Sequence, residues 1–138
     1  MPAIHINIWA VLVATIATFM LGGLWYSPLL FAKQWVASHG YTPEQLEAMK
    51  GTAAKAYGLS FLCWLVMALM LAVLIGRFGL DSAMGGMKLG VVCWVGFSAT
   101  VGLSAVLFSG KKFATWFIDG GYQLASVIVM GTILGTWR

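Results

Sequence analysis

Charge is scarce in this chain: eight basic and four acidic residues amount to 9% of its 138 positions, against roughly 25% in an ordinary soluble domain. A chain so short has too much surface for its volume to hide a 61% hydrophobic complement from water. That excludes a soluble enzyme, a nucleic-acid-binding domain and a disordered tail. With only two cysteines, Cys63 and Cys93, a secreted disulfide framework is excluded as well. Each precedes a tryptophan inside an apolar run, and both are expected to be small buried hydrophobes. The sequence also lacks any His, Cys and carboxylate set with metal-ligand spacing, any phosphate loop and any nucleophile–base pair. No metal, cofactor or catalytic residue is therefore expected. What is abundant is apolar side chain, with a mean hydropathy of +0.91. The expected class is an all-α integral membrane protein in contact with a lipid bilayer.

The gaps between charges mark the spans. No charged residue occurs from Met1 through Ala32, from Ala56 to Gly76 or from Leu89 to Gly110, and Phe113 to Trp137 holds one, Asp119. About 20 apolar residues cross ~30 Å of hydrocarbon, so four crossings fit and a fifth does not. Because lipid leaves backbone groups unpaired, each must be helical. The expected layout is one four-helix transmembrane domain over 1–138, with spans at about 6–27, 54–76, 86–108 and 113–136. An amphipathic, interfacial segment at about 28–50 joins the first two. Within it, Ser27-Pro28 reads either as the opening of an interfacial helix or as a kink in the first span. Thr42-Pro43-Glu44-Gln45 has the capping-box arrangement, announcing a short helix that Gly51 should end. Gly79 reads as a C-cap, and Asp81 or Ser82 as an N-cap.

Basic residues set orientation. The first and third loops carry Lys33, Lys50, Lys55, Lys111 and Lys112, and the opposite side carries Arg77, Lys88 and Arg138. Five against three favours those loops in the cytoplasm and both termini outside, with an inverted or dual arrangement as the alternative. Trp25, Tyr26, Trp35, Tyr57, Trp116, Tyr122 and Trp137 lie near span ends, as an aromatic belt requires. Trp9, Trp64 and Trp94 lie deeper, where an indole N–H needs a partner. Small residues recur at four-residue spacing in Ala10, Ala14, Thr18 and Gly22, in Gly86 and Gly90, and in Gly131 and Gly135. Such stripes allow backbones to approach, within the chain or between copies, and a homo-oligomer is expected.

One polar constellation stands out. Asp119 lies inside a span, where a carboxylate costs about 2.5–3.5 kcal/mol at the helix centre. Tyr122, Gln123 and Ser126 follow on the same helical face. Tyr26 and Ser27 end the first span on that membrane side, while Lys55, Tyr57 and Ser60 begin the second. The nine residues are candidates for a polar pocket or pathway. Against this stands an ion pair: Asp119 is only about 8 Å from its helix start, within reach of a snorkelling Lys111, Lys112 or Lys55. A proton-coupled carboxylate is the third alternative. His5 and Asn7, at the start of the first span, read as interfacial anchors.

Trp25-Tyr26-Ser27-Pro28-Leu29-Leu30-Phe31, followed by Lys33 and Trp35, resembles domain-of-unknown-function family 1761, small and mostly bacterial membrane proteins. The ending, Gly121-Tyr122 and then Gly131-Thr132-Ile133-Leu134-Gly135-Thr136-Trp137, agrees, so the resemblance covers essentially the whole chain. In the family pattern, Asn is usual at position 119 and His at position 123, where this chain has Asp119 and Gln123. That departure keeps a polar face while changing its charge. The resemblance implies a multi-spanning protein of a bacterial cytoplasmic membrane and brings no activity with it. Residue chemistry favours an oligomeric channel or transporter-like protein taking a small solute or ion. The alternative is a non-catalytic assembly or lipid-interacting protein, and a membrane enzyme is least favoured.

Overall fold

Lipid supplies no hydrogen-bond partner, so every uncharged run closes its backbone bonds within itself. The computed structural model, which describes residues 3–138, is helical along each of them. The elements are α1 (Ile8–Trp25), α2 (Ala32–His39), α3 (Pro43–Met49), α4 (Ala53–Arg77), α5 (Ala83–Cys93), α6 (Thr100–Ser109) and α7 (Phe113–Thr136). A π-helical segment, Trp94–Ala99, joins α5 to α6. Four helical stretches are long and apolar enough to cross a membrane: Ile8–Trp25, Pro43–Arg77, Ala83–Ser109 and Phe113–Thr136. There is no strand among the described residues.

Local chemistry accounts for the helix ends. Asn7 Oδ1 accepts from the N–H groups of Trp9 at 3.1 Å and Ala10 at 3.3 Å, so Asn7 caps α1 rather than only anchoring it. Ser82 Oγ accepts from Gly85 N–H at 3.0 Å and starts α5. Thr42 and Gln45 close a reciprocal capping box on α3. Gly79 and Gly110 take left-handed φ of +65° and +70° just past the ends of α4 and α6, where a Cβ would be strained.

The first loop departs from expectation in two places. Ser27 neither caps a helix nor marks a kink. Its hydroxyl turns back to the Leu24 carbonyl at 2.6 Å, closing α1, and residues 26–31 form a turn before α2. Nor does Gly51 end the second short helix, because a 3₁₀ turn, Lys50–Thr52, carries the chain from α3 into α4. Nothing lies within 4 Å of a Cβ placed on Gly51, so its missing side chain leaves the helical path open.

α7 is the axis of the molecule, with α1, α2, α4, α5 and α6 all packed on it. Glycine decides its tightest seam. A Cβ on Gly86 or on Gly131 would strike the other residue's carbonyl oxygen, one on Gly135 would strike that of Ser82, and one on Gly90 would come within 2.6 Å of the Val127 oxygen. The two Gly-xxx-Gly pairs therefore meet each other, α5 against α7, inside one chain. The stripe on α1 also faces inward: Ala10, Ala14 and Thr18 are fully buried, and Gly22 lies under the Tyr122 ring. None of these stripes is left over for contact between copies. Around them, Val11, Ala68, Leu71, Ile75, Met130 and Leu134 complete a dry core on the side of the termini and the second loop.

Cys63 is exposed and Cys93 half-buried, contrary to the expectation of two buried thiols. On a membrane helix the exterior is apolar, so a small apolar group is as well accommodated facing lipid as facing protein.

Candidate functional site

The other half of the bundle is hollow. Here the second half of α1, the first half of α4 and the first half of α7 border a partly open cavity of about 700 Å³ lined by aromatic and polar residues. Six of the nine polar candidates border it: Tyr26, Tyr57, Ser60, Asp119, Tyr122 and Gln123. Three do not. Ser27 is held by Leu24. Ser126 is fully buried and donates to the Tyr122 carbonyl at 2.8 Å, satisfied by its own helix. Lys55 is exposed on the outer face of α4. Phe19 and Trp64, not among the candidates, complete the wall.

Asp119 occupies the junction of three hollows. A second cavity, of about 280 Å³, shares Asp119 and Gln123 with the first and adds His39, Lys111 and Thr115. A third, of about 590 Å³, shares Tyr26, Tyr57 and Asp119 and runs beneath α2 and α3 past Trp35 and Lys50. The hydrogen bond made by Asp119 is with Tyr26, whose hydroxyl donates to Oδ1 at 2.6 Å. Lys111, Lys112 and Lys55 are not its ion-pair partners: among the described residues, the one salt bridge is Lys50 with Glu47, on the exposed face of α3. Lys111 shares the second cavity with Asp119 without reaching salt-bridge distance.

Aromatic side chains frame the site; Trp25 and Trp116, expected at a lipid interface, point inward instead, and the deep Trp94 finds its partner beside them. Trp25 Nε1–H donates to the Ile118 carbonyl at 3.0 Å, Trp94 Nε1–H to Gly120 at 2.9 Å and Trp116 Nε1–H to Ala99 at 3.0 Å. Each uses the second lone pair of a helical carbonyl, and together they tie α1 and the π-helical segment to the first turns of α7. The Tyr122 hydroxyl donates to the Thr18 carbonyl at 2.8 Å, and its ring meets Tyr26 and Trp64 edge to face, each at 5.4 Å. Tyr122 is thus the floor between the hollow half and the dry core. Of the deep tryptophans, Trp9 lies on the outer surface, 67% exposed, while Trp64 borders the cavity.

His39 was not legible as a site residue. It ends α2, capped by the left-handed Gly40, and stacks on Tyr41 with ring centres 5.0 Å apart and Trp35 beside it at 4.4 Å. The one signal in the sequence is Trp35-x-x-x-His39-x-Tyr41, whose first two members lie on one helical face. Burial holds the imidazole below its ordinary value. The Lys111 charge pushes the same way, and Asp119 opposes both. Among the described residues, the buried side-chain polar atoms without a protein partner are Thr18 Oγ1, both ring nitrogens of His39 and Thr115 Oγ1. All four atoms lie in the hollow half, and three of them border the second cavity.

Four helical stretches long and apolar enough to cross a membrane, three of them bordering a polar cavity, mark an integral membrane protein. The chain matches the protein family of unknown function DUF1761 over residues 9–135 and belongs to that family. No curated protein and no solved structure matches it.

Proposed function

We propose that the chain is one four-helix membrane unit of the transport type, whose Asp119 hollow takes a small solute or ion from the side of the first and third loops. A carboxylate that keeps no lysine partner, set in a large cavity deep enough to reach Phe19 and Trp64, carries this reading. Phe19 lies six residues, about 9 Å, from the loop-side end of α1, and Trp64 lies eleven residues, about 16 Å, from that of α4, roughly half the thickness of the hydrocarbon. The unpaired polar atoms of Thr18, His39 and Thr115 add to it, because buried polar groups in native structures almost always find a partner. Five basic residues on the hollow side against three opposite orient the mouth to the cytoplasm of a bacterial inner membrane. An assembly or lipid-interacting role would have drawn on the glycine stripes, and these meet inside the chain.

Proteoliposome flux tests the proposal. Asp119→Asn keeps an acceptor for the Tyr26 hydroxyl and removes the charge, so fold and membrane insertion persist while uptake or ion selectivity changes. Identical flux in the two proteins, at equal reconstitution, would refute a transport role for this hollow.

A further inference from the structure

We infer that the ligand of the Asp119 hollow is an organic cation: an ammonium or similarly diffuse positive charge on an apolar body. This rests on reading the hollow as a solute site and names the class of solute. Among the described residues, the main cavity is bordered by five aromatic rings, one carboxylate and no basic side chain. Its only formal charge is therefore negative, and its walls carry the quadrupoles that attract a positive charge over a ring face. The rings are not stacked away against one another. Tyr26 and Trp64 each meet Tyr122 edge to face, with interplanar angles of 74° and 86°, and Phe19 meets Tyr57 in the same way at 6.2 Å. An edge-to-face contact covers one face of one ring and only the rim of the other; the buried Tyr122 is packed on several sides, whereas Tyr57, 64% exposed, and the cavity-lining Trp64 are the rings best placed to offer a face.

Asp119 has the capacity for such a partner. Oδ1 takes the Tyr26 hydroxyl, while Oδ2 has no protein donor among the described residues. A carboxylate in an apolar span favours a neutralising partner, and none lies within salt-bridge distance among the described residues. A bare inorganic cation fits poorly. Stripping its water would require several oxygen ligands in one shell, and Asp119 is the one carboxylate on the wall, with no group of three His, Cys, Asp or Glu among the described residues. An organic cation is weakly hydrated, exchanges its water for ring faces, and at about 700 Å³ has room for an apolar body. An anion would meet the Asp119 charge without a compensating cation on the main cavity wall.

Two probes of nearly equal shape test this: benzyltrimethylammonium and its neutral isostere neopentylbenzene. The full chain in lipid nanodiscs is dialysed to equilibrium against each, with empty nanodiscs to subtract partition into lipid. The expected result is specific retention of the cation, weakened roughly tenfold or more by Asp119→Asn and roughly 3- to 30-fold by Trp64→Leu. Retention of neopentylbenzene should be weaker and unaffected by Asp119→Asn. Equal retention of the two probes, or cation binding indifferent to both substitutions, overturns the cation assignment. If Asp119-dependent flux of another solute then persists in proteoliposomes, the solute site stands and only its ligand class falls. If that flux is also absent, both readings fall.

Discussion

The two halves of this bundle use the same helices for opposite ends. Toward the termini and the second loop, α5 and α7 meet backbone against backbone, α1 and α4 pack their side chains on α7, and Ala10, Ala14, Ala68 and Met130 are sealed completely. Toward the first and third loops, α1, α4, α6 and α7 separate around aromatic rings, a carboxylate and several cavities. Every buried side-chain polar atom that lacks a protein partner among the described residues belongs to this second half. Small residues make the difference. Where glycine faces glycine, helices close until carbonyls touch. Where large rings intervene, they cannot. In lipid no hydrophobic drive collapses the gap, so a hollow can persist beside a tightly packed core.

The contrast can be broken most severely at Gly131. A leucine there drives its Cβ into the Gly86 carbonyl, which cannot move without shifting α5. A loss of about 3 kcal/mol is expected, read as a large fall in thermal midpoint in detergent. An unchanged midpoint would show that the seam is not the source of rigidity. Gly23 should behave in the opposite way. It borders the main cavity, and nothing lies within 4 Å of a Cβ placed on it. Gly23→Leu should fill the hollow and abolish Asp119-dependent flux while holding or raising the midpoint, since glycine in a helix costs about 0.8–1.0 kcal/mol relative to the best helix formers. Flux that survives this substitution would place the path elsewhere.

A smaller effect is expected at the boundary. Tyr122→Phe removes the hydroxyl that bonds the Thr18 carbonyl between the two halves. Interhelical hydrogen bonds in membrane proteins average about 0.6 kcal/mol, so stability should fall by about that much, measured by unfolding in mixed micelles. A loss several times larger would mean that the hydroxyl also supports the core below it.

The smallest effect is set by pH. The His39 imidazole is held below its unfolded value of 6.5 by burial and by Lys111, against the pull of Asp119. Below that value the unfolded chain takes up the proton first, so stability is complete above about pH 6.5 and declines as pH falls through the window beneath it. The thermal midpoint should therefore drop slightly on acidification, and His39→Gln should flatten the drop. A midpoint that rises on acidification would contradict the burial of this ring.

How much of this was legible differs by kind of residue. Asp119 was conspicuous because a lone charge in an apolar run is costly wherever the helix turns. Tyr122 and Gln123 followed from it by helical spacing, but so did Ser126, which the fold turns against its own backbone. Sequence spacing locates a face to within a quarter turn and does not say which neighbour covers it. Trp25 and Trp116 were assigned to the lipid interface by their position along the chain, although their indoles point inward to carbonyls of other helices. His39 gave almost no signal, because its place beside Lys111 and Thr115 comes from α2 folding back onto α7.

What the sequence by itself determined was the medium, the helical character and the number of spans. These follow from hydropathy and from backbone bonds that each segment satisfies alone, so no partner need be known. Only the tertiary structure decided that both glycine pairs meet within one chain, that Lys111 and Lys112 stay apart from Asp119, and that three hollows converge on that carboxylate. Those outcomes depend on how each helix is rotated about its axis and on which helix it faces, and both are set by packing between segments distant in the chain.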